Sequence, residues 1–365
     1  ENNYTTKRFC GPENSAGPQN FTLGFLSLKH HIRRIEFDMN FKQDFINVLG
    51  SDLFTIISRL HKSVLVHKYM MLGRDIAATK LPIRLQIEIT DKCNFDCVMC
   101  NRLTRQNIHY KLNNDIRYPA FVKLIDEVKP FYVTLNGLGE PLLNKDIDKI
   151  ILECRNRNIT TSMPCNLSVN RVLQDKIVKC PPNIITFSIH GASKEVFEAI
   201  SVKSKYEECL AALQEFIEHV DTSRTIIRVL CALQYLNLTE HKKMFTLLNK
   251  FRLLDAFNLV PVYDYGDEAR GKVIPTETEK VHALSILDSD IKNCRDEKEI
   301  SFYKHCRDVL LKIQQSDENI NSDFKPCLIP WFSSYIAANG DVIPCCYLTS
   351  ESHLMGNIMK EDFSA

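Results

Sequence analysis

The chain has 365 residues, of which 44% are hydrophobic and 25% are charged, and its formal net charge is +1. These values are ordinary for a soluble globular protein, and the length suffices for a large domain and a smaller one. A net charge so close to zero gives no electrostatic basis for binding nucleic acid or an anionic membrane. No apolar run in the sequence is long enough to span a bilayer.

The 14 cysteines occur in a chain whose first eight residues are polar and lack the apolar segment of a signal peptide. In a long chain without an export signal, reduced thiolates that bind metal or carry out redox chemistry are more usual than disulfides. We therefore expect a cytoplasmic protein that uses some of its cysteines as ligands.

Residues 1–80 are predicted to form a mostly helical N-terminal extension. Gly, Pro, Asn and Ser are frequent up to about residue 25, which indicates irregular chain. From Phe25 to about Ala78, apolar residues recur at spacings of three and four, as in amphipathic helices. We expect this extension to pack on the main domain.

Strand-like and helix-like segments alternate through residues 81–265, which we predict to be the core domain. The predicted strands are 84–90, 131–136, 159–164, 183–189, 224–232 and 256–262, and the clearest helix is 205–220. Repeated β/α units predict an α/β protein with a parallel sheet and right-handed crossovers. Such sheets bind ligands at the carboxyl ends of their strands.

The C-terminal third contains two further predicted regions. Residues 266–326 are charged and read as a helical connector. Residues 327–365 contain a predicted β-hairpin that turns at Asn339-Gly340, with Cys327 before it and Cys345 and Cys346 after it.

Three cysteines directly follow the first predicted strand, at the spacing Cys93-x3-Cys97-x2-Cys100. Thiolates are soft ligands suited to zinc or iron–sulfur clusters. A closed structural site requires four ligands, and this motif offers three, so an open coordination position is expected, which favours catalysis. A structural zinc site with a distant fourth cysteine is the alternative.

This arrangement resembles the radical S-adenosylmethionine (radical SAM) superfamily over about Pro82 to Val262. The resemblance implies a partial (β/α)6 TIM-like barrel in which Cys93, Cys97 and Cys100 hold a [4Fe–4S] cluster whose open iron binds SAM. It also implies reductive cleavage of SAM to a 5′-deoxyadenosyl radical, which abstracts hydrogen from a substrate carbon. The electron would come from a one-electron reductant such as flavodoxin or ferredoxin.

Other segments resemble SAM-binding elements of that family. Gly139-Glu140-Pro141 is similar to the end of its G-G-E-P element, with Leu138 in place of the first Gly, and the resemblance implies contact with the SAM amino group. The alternative is an ordinary glycine turn with a surface glutamate. After the third strand, Asn166 is a candidate polar residue lining the SAM-binding site.

Two candidate contacts lie on the fourth and fifth predicted strands. Ser188, in a segment that resembles S-I-D-G-A, is a candidate SAM contact, and His190 replaces the usual Asp. His190 either faces the substrate or is structural. We expect Arg228 at the same end of the sheet, where it either pairs with the SAM carboxylate or is a surface residue.

The C-terminal spacing Cys327-x12-Gly340-x4-Cys345 resembles the opening half of a SPASM or twitch auxiliary-cluster domain. The resemblance implies that Cys327 and Cys345 bind an auxiliary [4Fe–4S] cluster. The family has further cysteines after this hairpin and this sequence has none, so we expect an incomplete domain, unless Cys294 or Cys306 substitutes. A hairpin without metal is the alternative.

Three functions follow from these patterns. The first is radical oxidation or rearrangement of a sugar- or aminocyclitol-like metabolite, favoured because residues 25–78 read as helical and do not resemble a peptide-binding module that begins with strands. The second is radical modification of a peptide, of the RiPP or sulfatase-maturase type. The third is a non-catalytic iron–sulfur or zinc scaffold, which the SAM-binding elements argue against.

Overall fold

The computed structural model describes residues 81–100, 102, 113–262, 273–313, 329–331, 333–346 and 351–363. The predicted helical extension over residues 1–80 lies outside these ranges, as does Cys327.

Nine strands in the described residues form one sheet in the order β6-β5-β4-β3-β2-β1-β7-β8-β9. The pairs from β6 to β7 are parallel, and β8 and β9 are antiparallel additions. Because β6 and β9 are opposite edges of this order, the sheet is an open, partial barrel. The predicted parallel α/β architecture is therefore confirmed. The strands are β1 Arg84–Ile87, β2 Tyr132–Thr134, β3 Thr160–Cys165, β4 Ile184–Ser188, β5 Ile226–Leu233, β6 Phe257–Pro261, β7 Ser333–Ile336, β8 Asp341–Ile343 and β9 Gly356–Asn357.

Helices connect the parallel strands, and the helix predicted over 205–220 is confirmed as Tyr206–His219. Local sequence explains where some of them begin: a capping box formed by Thr276 and Glu279 starts the first connector helix. In the described stretches, no helix has the length and apolar character needed to cross a bilayer. The helices are α1 Tyr118–Val128, α2 Ile147–Asn156, α3 Asn170–Val172, α4 Lys194–Ile200, α5 Tyr206–His219, α6 His241–Lys250, α7 Glu277–Asn293 and α8 Glu297–Leu310.

The two faces of the sheet differ in composition because successive side chains of a strand point to opposite faces. One face is fully buried against the helices, as where the Phe187 ring of β4 meets the Phe216 ring of α5 edge-on at 5.2 Å. The alternate positions form what we call the inner face, which carries most of the polar strand residues and is less completely buried. Its residues include Arg84, Gln86, Thr186, Ser188 and Arg228.

The connector helix α8 packs beside β6, and α7 packs against α8. The Phe302 ring of α8 lies 5.6 Å from the Phe245 ring of α6 and 5.3 Å from the Phe257 ring of β6. The helical character predicted for the connector is thus present in its described residues, while the domain boundaries themselves remain predictions.

The predicted hairpin is present as β7 and β8, and Gly340 adopts a positive φ of 89° at its turn. Its attachment to the core was not anticipated. Strand β7 pairs in parallel with β1, placing Arg84 opposite Ser333 and Ile87 opposite Ile336. The hairpin therefore continues the core sheet on the side of β1 that faces away from β2.

Candidate active site at the carboxyl ends of strands β1 to β4

The cysteine loop begins shortly after β1 and is held in place by backbone hydrogen bonds and by a buried side chain. The backbone amides of Asp96 and Val98 donate to the carbonyls of Val202 and Ile200, at 3.0 and 2.9 Å, which ties the loop to the end of α4. The Phe95 side chain is buried and anchors the loop in the core. Its position is therefore determined by packing as well as by any bound group.

Charged side chains brace the same loop. The Arg102 guanidinium lies 2.7 Å from the Asp96 carboxylate and donates to the Phe95 carbonyl at 3.3 Å. Lys203 also pairs with Asp96. Since Arg102 is almost fully buried, its ion pair with Asp96 is shielded from water, and it holds a positive charge beside the cysteines.

The three thiols lie close enough to influence one another's ionisation. Burial raises the pKa of Cys93 to about 11, and the nearby charges of Glu140 and Cys100 add to this, while the Phe95 amide and Arg102 oppose it. Burial and the charges of Cys100 and Cys93 raise the pKa of Cys97 to about 12. A cationic partner, as ligation to iron would provide, favours the thiolate forms of Cys93 and Cys97.

The donor set consequently fits an iron–sulfur cluster, whose separate irons each accept one thiolate from the protein. In the part of the chain that the structure describes, no three His, Cys, Asp or Glu side chains are arranged around the position of a single metal ion.

Gly139 makes the closest approach between the loop after β2 and the start of the cysteine loop. A Cβ at this position would lie 2.1 Å from the Thr90 carbonyl oxygen and 2.7 Å from that of Lys92. The Glu140 amide donates to the same Lys92 carbonyl at 2.7 Å. Only glycine fits this backbone-to-backbone contact, so the two loops are assembled as one unit.

Glu140 is an internal carboxylate with 4% of its surface exposed, so the alternative of a surface glutamate is wrong. Its Oε1 accepts from the Leu142 amide at 3.1 Å, and its Oε2 accepts from the Asn166 amide at 2.8 Å. Burial raises its pKa to about 7, although these two amides oppose the shift. Pro141 begins the short 3₁₀ turn that follows.

Asn166 completes the junction from the loop after β3. Its Nδ2 lies 3.9 Å from the Cys93 Sγ and donates to the Asn94 Oδ1 at 3.2 Å. The structure therefore brings together the cysteine loop, the Gly139-Glu140-Pro141 segment and Asn166, as the order of the predicted strands suggested.

Ser188 and Arg228 lie on the same inner face of the sheet but at different distances from its carboxyl edge. Ser188 is the last residue of β4 and is paired with Leu230. Arg228 is paired with Thr186, two residues further from the carboxyl edge. Arg228 lies within β5, which continues to Leu233, and its assignment to this end of the sheet stays a prediction.

His190 has the environment of a structural residue. It is 7% exposed, and its Nδ1 accepts a hydrogen bond from the Ala232 amide at 3.1 Å. Burial lowers its pKa to about 4, so the ring is neutral at physiological pH. These observations favour the structural reading of His190 over a substrate-facing one.

The described residues contain only part of the predicted auxiliary site. Cys345 is partly exposed and closely follows β8, while Cys327 lies outside the described ranges. Cys306, considered above as a substitute ligand, is buried in the hydrophobic core of α8, and burial raises its pKa to about 12. This apolar setting does not favour Cys306 as a ligand.

Glu88 is a buried charged residue that the sequence reasoning did not single out. It is 1% exposed and follows β1 directly on the inner face. The alternation of Arg84, Gln86 and Glu88 with Leu85, Ile87 and Ile89 was the signal that could have revealed it, because the pattern assigns the polar residues to one face.

Two family models match this chain, one described as the radical SAM superfamily over residues 87–231 and one as the SPASM iron-sulfur cluster-binding domain over residues 327–365. Residues 87–231 thus form a radical SAM domain. The chain is accordingly an enzyme, and its radical SAM and SPASM domains imply [4Fe–4S] clusters and bound SAM. The scaffold alternative is thereby wrong.

The curated relatives of this radical SAM protein are distant. It is 23% identical over 280 residues to a probable GTP 3′,8-cyclase of Methanocaldococcus jannaschii, a match that covers 70% of this chain and 86% of the relative. A probable GTP 3′,8-cyclase of Methanococcus maripaludis is 26% identical over 150 residues, or 40% of this chain and 47% of the relative.

Solved structures share its fold at lower identity. SuiB of Streptococcus suis, bound to the precursor peptide SuiA, superimposes with a TM-score of 0.57 and is 14% identical, covering 87% of this chain and 70% of SuiB. The enzyme anSMEcpe with bound AdoMet gives a TM-score of 0.53 and is 15% identical, covering 77% of this chain and 76% of the other.

Proposed function

We propose that Cys93, Cys97 and Cys100 bind the SAM-cleaving cluster, and that the enzyme abstracts hydrogen from a carbon of a polar metabolite. The observation that carries this proposal is the convergence of three loops, after β1, β2 and β3, at one edge of the sheet. When bound, the cluster supplies the electron that cleaves SAM to methionine and a 5′-deoxyadenosyl radical.

The residues around the cluster loop have separable roles in this proposal. Gly139 lets the backbone of its loop pack directly on the start of the cysteine loop, which fixes the proposed SAM-binding loop beside the proposed cluster. Both Glu140 oxygens already accept backbone hydrogen bonds, so Glu140 shapes the SAM pocket by joining two loops. The Asn166 amide lies beside Cys93, where it can donate to the ligand sulfur.

The inner face provides the proposed substrate surface. Ser188 lies nearest the carboxyl edge and is assigned to SAM, while the deeper Arg228 is assigned to SAM's carboxylate or to an anionic or hydroxyl group of the substrate. Arg84, oriented by a 3.2 Å hydrogen bond to the Thr134 hydroxyl and by the Tyr132 ring, is on the same face but begins β1, at the amino end of the sheet and away from the proposed SAM site. Such a surface suits a polar substrate.

A sugar-containing metabolite fits these features. Guanidinium groups bind phosphates and carboxylates well, and hydroxyl-bearing side chains can pair with sugar hydroxyls. Support also comes from the distant relatives, whose names refer to GTP, itself a ribose-containing metabolite.

Radical modification of a peptide is the second candidate. It is favoured by the structural neighbours SuiB and anSMEcpe, which have been solved with peptides bound. Residues 25–78, whose helical pattern does not resemble a peptide-binding module, lie outside the described residues, so this pattern stays a prediction and does not exclude a peptide substrate.

The remaining assignments belong to the same proposal. Cys327 and Cys345 would bind the auxiliary cluster, and flavodoxin or ferredoxin would supply electrons in the cytoplasm. The domains predicted over residues 81–265 and 327–365 would then have different functions: the first would produce the radical, and the second would accept or donate an electron.

The test is anaerobic reconstitution with iron and sulfide, followed by dithionite and SAM, with 5′-deoxyadenosine measured by mass spectrometry. We expect turnover in the wild type and in Cys180→Ala, which changes a partly exposed cysteine with no proposed ligand role. We expect none in Cys97→Ala. A fully loaded wild-type cluster that forms no 5′-deoxyadenosine contradicts the proposal, as does activity in Cys97→Ala.

The two substrate classes are separated by isotope transfer. Reactions would contain either nucleotides and sugar phosphates deuterated on the sugar, or deuterated peptides, and deuterium would be measured in 5′-deoxyadenosine. Transfer from the sugar pool alone supports the metabolite. Transfer from peptides alone supports the second candidate and contradicts the first.

A further inference from the structure

Glu88 links two loops that belong to different parts of the chain. Its Oε1 accepts from the Leu138 amide at 2.5 Å, and its Oε2 accepts from the Ala338 amide at 3.1 Å. Its own amide donates to the Ile336 carbonyl at 2.8 Å. One buried carboxylate thus contacts the loop after β2 with one oxygen and the loop after β7 with the other.

The position of Glu88 in the sheet explains why it can reach both loops. Strand β1 lies between β2 and β7, and all three are parallel, so their carboxyl ends are adjacent. Gly137 makes room for the side chain, since a Cβ there would lie 2.4 Å from both the Cβ and the Cγ of Glu88. The loop after β2 is therefore folded directly over this carboxylate.

Each linked loop leads to a different proposed site. Leu138 immediately precedes Gly139 and Glu140, which contact the start of the cysteine loop. Ala338 lies in the hairpin turn that leads through β8 to Cys345. We propose that Glu88 is a positioning residue that fixes the Cys345 hairpin relative to the SAM-binding loop.

A carboxylate is chemically suited to this task. It has two oxygens that both accept, so it provides acceptors for the partly buried Leu138 amide and the buried Ala338 amide at the same time. Glutamine has one accepting oxygen, and its NH₂ group cannot accept from an amide. Glu88→Gln therefore preserves the side-chain volume but leaves one of the two amides without its acceptor.

The significance of the link rests on the proposed function, because that function assigns SAM and a second cluster to the two loops. The link itself can be tested independently, by hydrogen–deuterium exchange of the reconstituted protein without SAM. We expect Glu88→Gln to speed exchange roughly 10- to 100-fold in residues 137–143, in residues 336–345, or in both, since a hydrogen bond to a charged group is lost.

A second measurement tests whether the loops are coupled. In the wild type, added SAM should slow exchange in both loops, and in Glu88→Gln the slowing should be confined to residues 137–143. Glu207→Gln, which changes an exposed glutamate on α5, is the matched control and should behave as the wild type. If SAM changes neither loop of the wild type, the proposed function fails, while the exchange without SAM still tests the link.

The outcomes are distinct. Unchanged exchange in both loops of Glu88→Gln overturns the proposal, and so does wild-type coupling that survives the substitution. If hydrogen exchange in Glu88→Gln is fast throughout β4 and β5 as well, the substitution has destabilised the whole core, and Glu88→Asp is used as the test variant instead. The aspartate side chain is shorter by one methylene and cannot span both amides. Protection of both loops in Glu88→Asp that equals the wild type would then overturn the proposal.

Discussion

Replacing Gly139 with alanine tests whether the loop after β2 and the cysteine loop form one unit. The added Cβ would lie 2.1 Å from the Thr90 carbonyl oxygen, 2.7 Å from that of Lys92 and 2.8 Å from the Thr90 carbonyl carbon. All three atoms belong to the backbone, so no side chain can rotate away. Real Cβ atoms essentially never come within 3.0 Å of such neighbours, and the loops must therefore separate.

Two contributions determine how much Gly139→Ala lowers the free energy of unfolding. Overpacking of a filled site costs about 1–3 kcal/mol. Separating the loops also lengthens the 2.7 Å hydrogen bond from the Glu140 amide to the Lys92 carbonyl, which contributes about 1 kcal/mol. We expect Gly139→Ala to lower the free energy of unfolding by about 2–4 kcal/mol.

Urea denaturation of the protein without SAM measures this loss, and calorimetric titration of the reconstituted protein measures SAM affinity. Gly356→Ala is the matched control, because the atom nearest its added Cβ is the flexible Glu361 carboxylate at 2.7 Å. That control should lose less than about 1 kcal/mol. Equal stability and SAM affinity in the two variants would refute the close-contact reasoning.

Two further variants probe the burial of single side chains. Glu140→Gln removes a carboxyl whose pKa rises from its usual 4.5 to about 7 in the folded protein. Since the folded state keeps this proton to higher pH than the unfolded state, wild-type stability relative to Glu140→Gln should fall by about 3 kcal/mol between pH 4.5 and 7 and then level off, as measured by urea denaturation across that range. A difference that is flat with pH would contradict the burial argument. Phe216→Ala removes the ring that contacts Phe187 edge-on and should cost about 3–5 kcal/mol in thermal or urea unfolding, whereas the exposed Leu152→Ala should cost little; similar losses would be inconsistent with a core packed through α5.

Local features of the site were predictable from the sequence. The three cysteines and the alternation of Leu85, Ile87 and Ile89 with polar residues place a ligand loop after a strand with one buried face. These signals are local, because strand alternation and metal-ligand spacing are set by residues a few positions apart. For the same reason the six core strands and the helix Tyr206–His219 were found where the pattern indicated.

Whether an individual polar residue is buried or exposed was harder to predict from the sequence. A glutamate in a glycine turn can be exposed or internal, and the position of the Asn166 loop shows that Glu140 is buried. His190 was undecided until its contact with Ala232 could be seen. In both cases the deciding partner lies on another strand or its loop, and no pattern within the segment identifies it.

The sequence by itself therefore specified the cysteine loop and the strands that present it, and it predicted an open coordination position at that loop. Folding in three dimensions established that β7 joins β1 and that the Glu88 carboxylate reaches Ala338, 250 residues away in sequence. Periodicity predicts which side chains of a strand are buried, but it does not predict which strand lies beside it. Strand pairing depends on how segments distant in sequence bury their apolar faces together. The link between the two proposed cluster sites consequently became visible only in the assembled sheet.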